Sequence, residues 1–150
     1  MQAEIVTIGT ELLLGEIVDT NSAWIAERLA TIGLNLYYTT TVGDNLPRIV
    51  QVLSQAIARS DVVITTGGLG PTVDDMTREG VARATDRRLV LDKALVTEIT
   101  AFFARRGYTM TDNNRKQAWL PKAARTIHNP VGTAPAFAVE HHGHVLISLP

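Results

Sequence analysis

The pattern of apolar and polar residues along this chain predicts strands and helices in alternation. Three runs rich in β-branched residues predict strands at Glu4–Gly9, Leu34–Val42 and Asp61–Thr66. Each run is followed by apolar residues at helical spacing, and the first two helices begin near Asp19 and Asn45. Since parallel strands need a crossover between them, this alternation favours a parallel sheet.

The second half of the chain predicts four further elements. They are an apolar link at Leu89–Leu91, a helix from Asp92 to Gly107 with Phe102 and Phe103 in the core, a short helix at Thr111–Gln117, and a hairpin of Phe137–Glu140 with His144–Leu149. We therefore expect residues 1–150 to form one α/β domain, a three-layer α/β/α sandwich with a mostly parallel sheet and a C-terminal hairpin.

Composition and charge narrow the classes of partner. The chain is 45% hydrophobic and 19% charged with a net charge of −1, which gives no electrostatic argument for binding nucleic acid or an anionic membrane. The absence of cysteine excludes disulfides and thiolate metal sites. No apolar run approaches about 18 residues, so we expect neither a signal peptide nor a membrane span, and cytoplasmic location is the default.

The stretch from Asp61 to Thr77 has the order strand, glycine-rich turn and helix start. Glycines expose backbone N–H groups to a ligand, and a helix N-terminus adds unpaired donors, so the stretch predicts an anion site for phosphate. It is not a P-loop, because Pro71 and Thr72 follow Gly70 where Lys and Ser or Thr are needed. Val73 likewise stands where a dinucleotide fingerprint needs a small residue.

Because ligands bind at the carboxyl ends of parallel strands, three segments should meet at one edge of the sheet: Thr10–Glu11, Asp44–Asn45 and Gly67–Asp75. Asp74 and Asp75 can be explained in two ways. They could cap the helix that follows, or they could hold a divalent cation against a bound phosphate. With a metal present, Asp44 or Asp75 could orient a water that attacks a phosphoanhydride, with Asp74 and Glu11 as metal ligands.

Three other features leave two interpretations each. Leu12–Leu14 predicts either a turn that packs on the core or a patch that contacts a ligand or a second copy of the chain. Arg115 and Lys116 lie on a solvated helix face or neutralise phosphate. The turn at His141–His142 is simply exposed or binds a metal.

Six motifs in order along the chain resemble one known family, the CinA N-terminal domain of the MogA/MoaB-like molybdopterin-binding superfamily. The motifs are Ile8–Gly15, Asp19–Asn21, Val42–Asp44, Thr65–Thr72, Asp75–Thr77 and Asn129–Pro135. The resemblance covers nearly the whole chain and implies the three-layer fold. For the CinA branch it also implies an ADP-ribose pyrophosphatase that needs Mg²⁺, Mn²⁺ or Co²⁺, acts as a homo-oligomer, and often works beside a nicotinamide-mononucleotide deamidase domain.

In the molybdopterin branch, the aspartates that match Asp44 and Asp75 line the pterin pocket, and the Gly67–Gly68 turn holds the phosphate. We expect phosphate and nucleotide contacts from Thr10, Asn21, Thr66, Gly67, Gly68, Leu69, Gly70, Thr77, Arg115, Gly132 and Thr133. Leu69–Pro71 and Asp74 resemble the CinA branch more closely, which favours the nucleotide hypothesis.

The sequence departs from the family pattern in two places. Ala136 stands where the family has glycine, and the pattern continues beyond Pro150 into a Leu-Pro-Gly loop, so we expect a truncated domain or a short relative. The leading hypothesis is metal-dependent hydrolysis of ADP-ribose or a similar nucleotide diphosphate sugar to AMP and a sugar phosphate. The alternatives are a binding module for molybdopterin or its adenylylated form, with no other organic cofactor, and a non-catalytic scaffold.

Overall fold

Strands and helices alternate along the 150 residues, all of which the computed structural model describes. The strands are β1 (Gln2–Ile8), β2 (Asn35–Val42), β3 (Val62–Thr66), β4 (Leu89–Leu91), β5 (Trp119–Pro121), β6 (Arg125–Ile127), β7 (Ala136–His141) and β8 (His144–Leu149). The helices are α1 (Thr10–Leu13), α2 (Thr20–Thr31), α3 (Leu46–Arg59), α4 (Thr77–Ala84), α5 (Lys93–Ala104) and α6 (Asp112–Arg115), and a 3-10 helix follows at Lys116–Ala118. No helix is both long and apolar enough to cross a membrane.

Six strands form one sheet in the order β2-β1-β3-β8-β7-β6. The neighbours from β2 to β8 are parallel, whereas β7 and β6 join antiparallel. The predicted mostly parallel sheet with a C-terminal hairpin is confirmed, and β8 lies inside the sheet between β3 and β7.

The sheet has helices on both faces, because successive side chains of a strand point to opposite sides. In β1, Ala3 and Ile5 pack with Ile25 and Leu29 of α2. On the other face, Val6 and Ile8 join a larger cluster of 18 buried residues that includes side chains of α3, α4 and α5. The three layers are those the sequence predicts.

Local sequence signals place the starts of α2, α3 and α5 correctly. The Asp19 carboxylate accepts from the Ser22 amide at 2.9 Å, and the Asn45 side chain accepts from the Arg48 amide at 3.2 Å. Asp92 caps α5 in the same way. The apolar stripe of α2 is narrow: Ile25 and Leu29 are buried, while Trp24 and Ile32 are exposed.

Two predictions of local structure are corrected. Leu12–Leu14 does not form a turn packed on the core, since Thr10–Leu13 is a single turn of helix and Leu13 and Leu14 are exposed. Leu89–Leu91 is not a bare link but strand β4, which pairs antiparallel with Trp119–Pro121 in a separate two-stranded sheet. Nothing near Leu89 in the sequence indicates that pairing, because its partner lies about thirty residues later.

Candidate functional site

The carboxyl ends of three parallel strands lie at one level of the sheet. Ile8 at the end of β1 pairs with Val42 at the end of β2, and Thr7 pairs with Thr66 at the end of β3. Leu149 of β8 lies beside Thr66 at the same edge. The segments that follow β1, β2 and β3 therefore leave the sheet side by side, as the sequence predicts, and this edge is the candidate site.

Two glycines form the turn that leaves β3. Gly67 has φ +94° and Gly68 has φ +66°, a backbone region that residues with side chains rarely adopt. A Cβ atom on Gly67 would lie 2.2 Å from the Ile8 carbonyl oxygen, and one on Gly68 would lie 2.2 Å from Oγ1 of Thr77. The turn is pressed so closely against β1 and α4 that no side chain fits at either position.

This glycine turn, Gly67–Gly70, contains two backbone donors that have no partner. The Gly67 amide donates to the Leu149 carbonyl at 3.3 Å, but the amides of Gly68 and Leu69 donate to no acceptor in the protein. Adjacent N–H groups without partners at the end of a parallel strand can bind an anion. The turn can therefore hold a phosphate through its backbone alone.

Thr77 supports the glycine turn from behind. Its side chain is fully buried, its hydroxyl donates to the Gly67 carbonyl at 2.8 Å, and its amide donates to the Gly68 carbonyl at 3.1 Å. Both polar groups are thus committed to the turn. Thr77 shapes the anion site, and a ligand on the unpaired amides would not need to touch it.

The Asp75 carboxylate closes the same loop. It accepts from the Gly70 amide at 2.8 Å, the Thr72 amide at 2.8 Å and the Thr72 hydroxyl at 2.6 Å. Burial by itself would raise the pKa of Asp75, but these hydrogen bonds and the charge of Arg78 hold that pKa below its usual value. The carboxylate is therefore ionised at neutral pH.

The capping interpretation of the aspartate pair is wrong. α4 begins at Thr77, its N-cap is Met76, and no side chain caps it. The helix starts two residues later than the pair suggests, because Asp75 bonds backward to Gly70 and Thr72 rather than forward to the helix amides.

Two cations clamp the carbonyl groups of this loop. Arg78, only 1% exposed, donates to the carbonyls of Leu69 and Gly70 at 2.6 Å each. Lys116 donates through Nζ to the carbonyls of Thr72 and Asp75 at 2.8 and 2.7 Å. With four carbonyls held by buried or half-buried cations, the loop is fixed by charge-assisted hydrogen bonds.

Sequence reasoning missed Arg78, and of the pair Arg115 and Lys116 it placed only Arg115 among the ligand contacts. The Arg115 side chain is exposed and has no hydrogen-bond or ion-pair partner, whereas that of Lys116, next in the chain, reaches the loop. A signal for Arg78 was present: a cation in the first turn of a helix is unfavourable to the helix dipole, so it indicates another partner. Burial lowers the pKa of Arg78, with Glu79 and Asp75 opposing that shift.

Asp44 and Thr10 tie the ends of β1 and β2 together. The Thr10 amide donates to Oδ2 of Asp44 at 2.9 Å, and the Asp44 amide donates to the Thr10 hydroxyl at 3.0 Å. Oδ1 of Asp44 has no partner in the protein. This oxygen is therefore available to accept from a ligand at the predicted position.

A cavity of about 150 Å³ lies between the glycine turn, α1 and the start of α2. Its walls include Glu11, Asn21, Thr66 and Gly67, four of the residues predicted for the site. Asn21 bridges the two sides, since its Nδ2 donates to the Thr66 hydroxyl at 3.4 Å. The cavity thus adjoins the turn that carries the unpaired amides.

The predicted metal ligands do not form a cluster. Asp74 is exposed and makes no hydrogen bond, while the Glu11 carboxylate lies against Gly9. No group of three or more His, Cys, Asp or Glu side chains is arranged to hold a metal ion, and this includes the turn at His141–His142. The divalent cation stays a prediction.

Gly132 and Thr133 lie in a different part of the same edge. They precede β7, whose Phe137 pairs with Ser148 near the end of β8. Both line a second cavity of about 220 Å³ against α5, which shares no lining residue with the cavity beside Gly67. The structure therefore separates these two residues from the rest of the predicted site.

Comparison with known protein families identifies the family of this chain. Residues 4–150 match the model of a family described as the probable molybdopterin binding domain. The chain belongs to this family. The match spans every segment of the site, from the first strand to the end of β8.

Individual relatives agree with the family match. The chain is 52% identical over 150 residues to a protein of Halothermothrix orenii, provisionally named competence-damage inducible protein, and 47% identical to a CinA-like protein of Kosmotoga olearia. These matches cover 100% of this chain and 36% of each relative, so the chain spans about a third of their length.

Solved structures share the fold. The protein CinA of Thermoplasma acidophilum, described as of unknown function, has a TM-score of 0.92 and 37% identity, covering 99% of this chain and 87% of that chain. The molybdopterin biosynthesis enzyme MoaB of Thermus thermophilus has a TM-score of 0.66 at 22% identity, covering 99% and 80%. The second likeness, at that identity, supports the fold alone.

These findings overturn the leading hypothesis from the sequence. Metal-dependent hydrolysis of ADP-ribose is wrong, because the family match is to a molybdopterin-binding domain and nothing in the comparisons indicates a pyrophosphatase. The aspartate pair supplied the metal ligand and the base of that hypothesis, and the structure separates their roles: Asp75 holds the loop closed, and Asp74 faces solvent. The resemblance of Leu69–Pro71 and Asp74 to one branch did not indicate a nucleotide hydrolase.

Proposed function

We propose that the edge of the sheet around the glycine turn binds molybdopterin. The observation that carries the proposal is the pair of unpaired amides at Gly68 and Leu69, held in place by a clamped loop, in a chain of the molybdopterin-binding family. Molybdopterin ends in a phosphate monoester, which two adjacent backbone donors can hold.

The residues present fit such a ligand. A Cβ atom at Gly68 would collide with Thr77, so glycine lets the turn pack against α4 while the Gly68 amide has no partner in the protein. Oδ1 of Asp44 can accept from the amino and ring N–H groups that a pterin presents, and Asn21 and Thr66 offer further polar contacts in the adjoining cavity. The Asp75 carboxylate already accepts hydrogen bonds from Gly70 and Thr72, and the charge of Arg78 partly offsets its own.

The direct test is anaerobic isothermal titration calorimetry of the purified chain with molybdopterin and, as a control ligand, a pterin without the phosphate. We expect saturable binding of molybdopterin and much weaker binding of the control, because the backbone donors contact only the phosphate. Equal affinity for the two ligands, or no binding of either, would overturn the proposal.

A matched pair of variants links the binding to the turn. Gly68→Ala places a methyl group against Thr77, whereas Gly143→Ala makes the same change at a glycine of similar φ with open space around it. We expect Gly68→Ala to abolish molybdopterin binding and Gly143→Ala to retain it. The same calorimetric titration, repeated with Mg²⁺ and again with a chelator, tests whether binding needs a divalent cation.

The wider setting of the domain is also a proposal. We propose that the chain acts in the cytoplasm, associates with copies of itself, and works beside further domains of its longer relatives. The exposed apolar side chains of Leu13, Leu14, Ile17 and Val18 support self-association, because such patches are commonly covered by protein. Sedimentation of the purified chain measures this directly.

A further inference from the structure

The cavity between α5 and residues 128–135 is a second concave site on this molecule. Its volume is about 220 Å³, and it shares no lining residue with the cavity beside the glycine turn. Its floor is apolar, formed by Leu95, Ile99 and Phe102, of which Leu95 and Ile99 are buried. This volume is below the range of drug-sized sites, so it suits a ligand of about ten non-hydrogen atoms.

Two guanidinium groups lie at this cavity without an acidic partner. Arg105 and Arg106 both line it, and neither side chain donates a hydrogen bond or forms an ion pair within the protein. The Arg106 guanidinium lies 3.6 Å over the Phe102 ring, which positions it by a cation–π contact while its N–H groups remain free. The one acidic residue of the lining, Glu98, is hydrogen-bonded through its carboxylate to Nδ1 of His128 at 2.6 Å.

The opposite wall adds backbone donors. Asn129 fixes the loop, since its Nδ2 donates to the Ala134 carbonyl at 2.9 Å and its Oδ1 accepts from the Val131 amide at 3.1 Å. The half-buried amides of Gly132 and Thr133 then donate to no acceptor in the protein. A fixed loop with unpaired donors faces two arginines without acidic partners across an apolar floor.

We propose that this cavity binds a phosphate monoester attached to a small flat apolar group. Arginine forks bind phosphate in a bidentate manner, and the amides of Gly132 and Thr133 can satisfy a third oxygen, which a carboxylate lacks. The apolar floor accepts the flat group, as in other small-molecule sites. The inference does not depend on what binds at the glycine turn.

The test is an NMR titration of the whole chain with phenyl phosphate, following backbone amide shifts. The comparison probes are inorganic phosphate, which lacks the apolar group, and phenol, which lacks the phosphate. We expect phenyl phosphate to shift residues 98–106 and 128–135 and to bind about tenfold more tightly than either comparison probe. Shifts confined to the glycine turn, or equal affinity for all three probes, would overturn the proposal.

Two variants complete the design. Arg105→Ala should weaken phenyl phosphate about tenfold, whereas Arg83→Ala, which also removes an exposed arginine but lies outside the cavity, should leave the affinity unchanged. Equal affinities for these two variants would contradict the assignment. Gly68→Ala should retain phenyl phosphate binding at the cavity, so a failure of molybdopterin binding at the glycine turn would leave this result intact.

Discussion

The two walls of the cavity beside β3 are held in very different ways. On one side, Thr77, Asp75 and Arg78 fix the amides and carbonyls of the glycine turn, and Lys116 holds the residues that follow it. On the other side, residues 11–18, here called the leucine segment, make backbone hydrogen bonds mainly among themselves.

Exposure shows the same contrast. Leu69 in the glycine turn is 1% exposed, whereas Leu14 and Val18 in the leucine segment are 68% and 83% exposed. Local stability follows the number of buried contacts and protected hydrogen bonds. We infer that the glycine turn is formed before any ligand arrives, and that the leucine segment can adjust around a bound ligand.

The largest effect on stability is expected from Gly67→Ala, which changes the glycine turn itself. The new Cβ would lie 2.2 Å from a backbone oxygen that cannot move aside, at φ +94°. We expect a loss of about 3 kcal/mol in the free energy of unfolding, measured by urea denaturation. Gly143→Ala, at φ +86° in open space, is the control and should cost about 1 kcal/mol. Similar losses in both variants would show that strain alone, and not the close contact, matters.

The next effect is expected from Arg78→Met, which keeps the bulk of the side chain and removes its two hydrogen bonds. The carbonyls of Leu69 and Gly70 would lose charged donors in a buried position, so we expect a loss of about 2–3 kcal/mol. Lys116→Met removes a comparable pair from a more exposed side chain and should cost less. Hydrogen exchange of residues 67–76 should accelerate in both variants, and an unchanged exchange rate would refute the clamp.

A smaller effect, visible mainly in how the free energy of unfolding depends on pH, is expected from Asp75→Asn. The folded pKa of Asp75 lies below the ordinary value of 3.8, so its carboxylate stabilises the folded state above that value. That contribution is lost as the pH falls through the lowered folded pKa. We expect the variant to lose about 1 kcal/mol at neutral pH and to show a flatter decline in stability at acid pH.

Asp19 provides the control for the pH measurement. Its pKa is also lowered, by hydrogen bonds from Ser22 and Thr7 that outweigh the effect of burial. Asp19→Asn should therefore also make stability decline less steeply at acid pH. It should leave hydrogen exchange in the glycine turn unchanged. If Asp75→Asn kept the full acid dependence of the wild type, Asp75 would not be the group that titrates.

The smallest effect on stability is expected from Leu14→Ser in the leucine segment. Since this side chain is 68% exposed, we expect a change within about 0.5 kcal/mol. Any larger consequence should appear in self-association, measured by sedimentation. A strongly destabilised monomer would mean that the two walls are less different than their contacts indicate.

Local sequence signals were enough to predict most of the fold. The caps at Asp19, Asn45 and Asp92 and the β-branched runs depend on neighbours a few residues away, and each formed the predicted element. β4 could not be predicted in this way, because Leu89–Leu91 becomes a strand only through pairing with Trp119–Pro121. The buried Glu4 likewise depends on a distant partner, since its carboxylate pairs with Arg59 at 2.7 Å.

The site was predictable where the backbone defines it and unpredictable where side chains reach across loops. Glycines at the end of a β-branched run indicated the unpaired amides, and parallel pairing placed Asp44 and Thr10 beside them. The roles of Asp75 and Lys116 depend on bonds that run back along the loop or span 41 residues. An aspartate pair read only by its position before a helix suggested a cap or a metal ligand, and neither interpretation anticipated a loop closure.

The position of β8 has a consequence for how the chain is made. This strand is the latest of the eight in the sequence, yet it pairs with β3 on one side and β7 on the other. The hydroxyls of Thr65 and Ser148 meet at 2.9 Å across a separation of 83 residues. A nascent chain that has not yet produced residues 144–149 therefore has two unpaired strand edges in the middle of its sheet. The domain must wait for this segment before it can close, and until then those edges are open to pairing with other nascent chains.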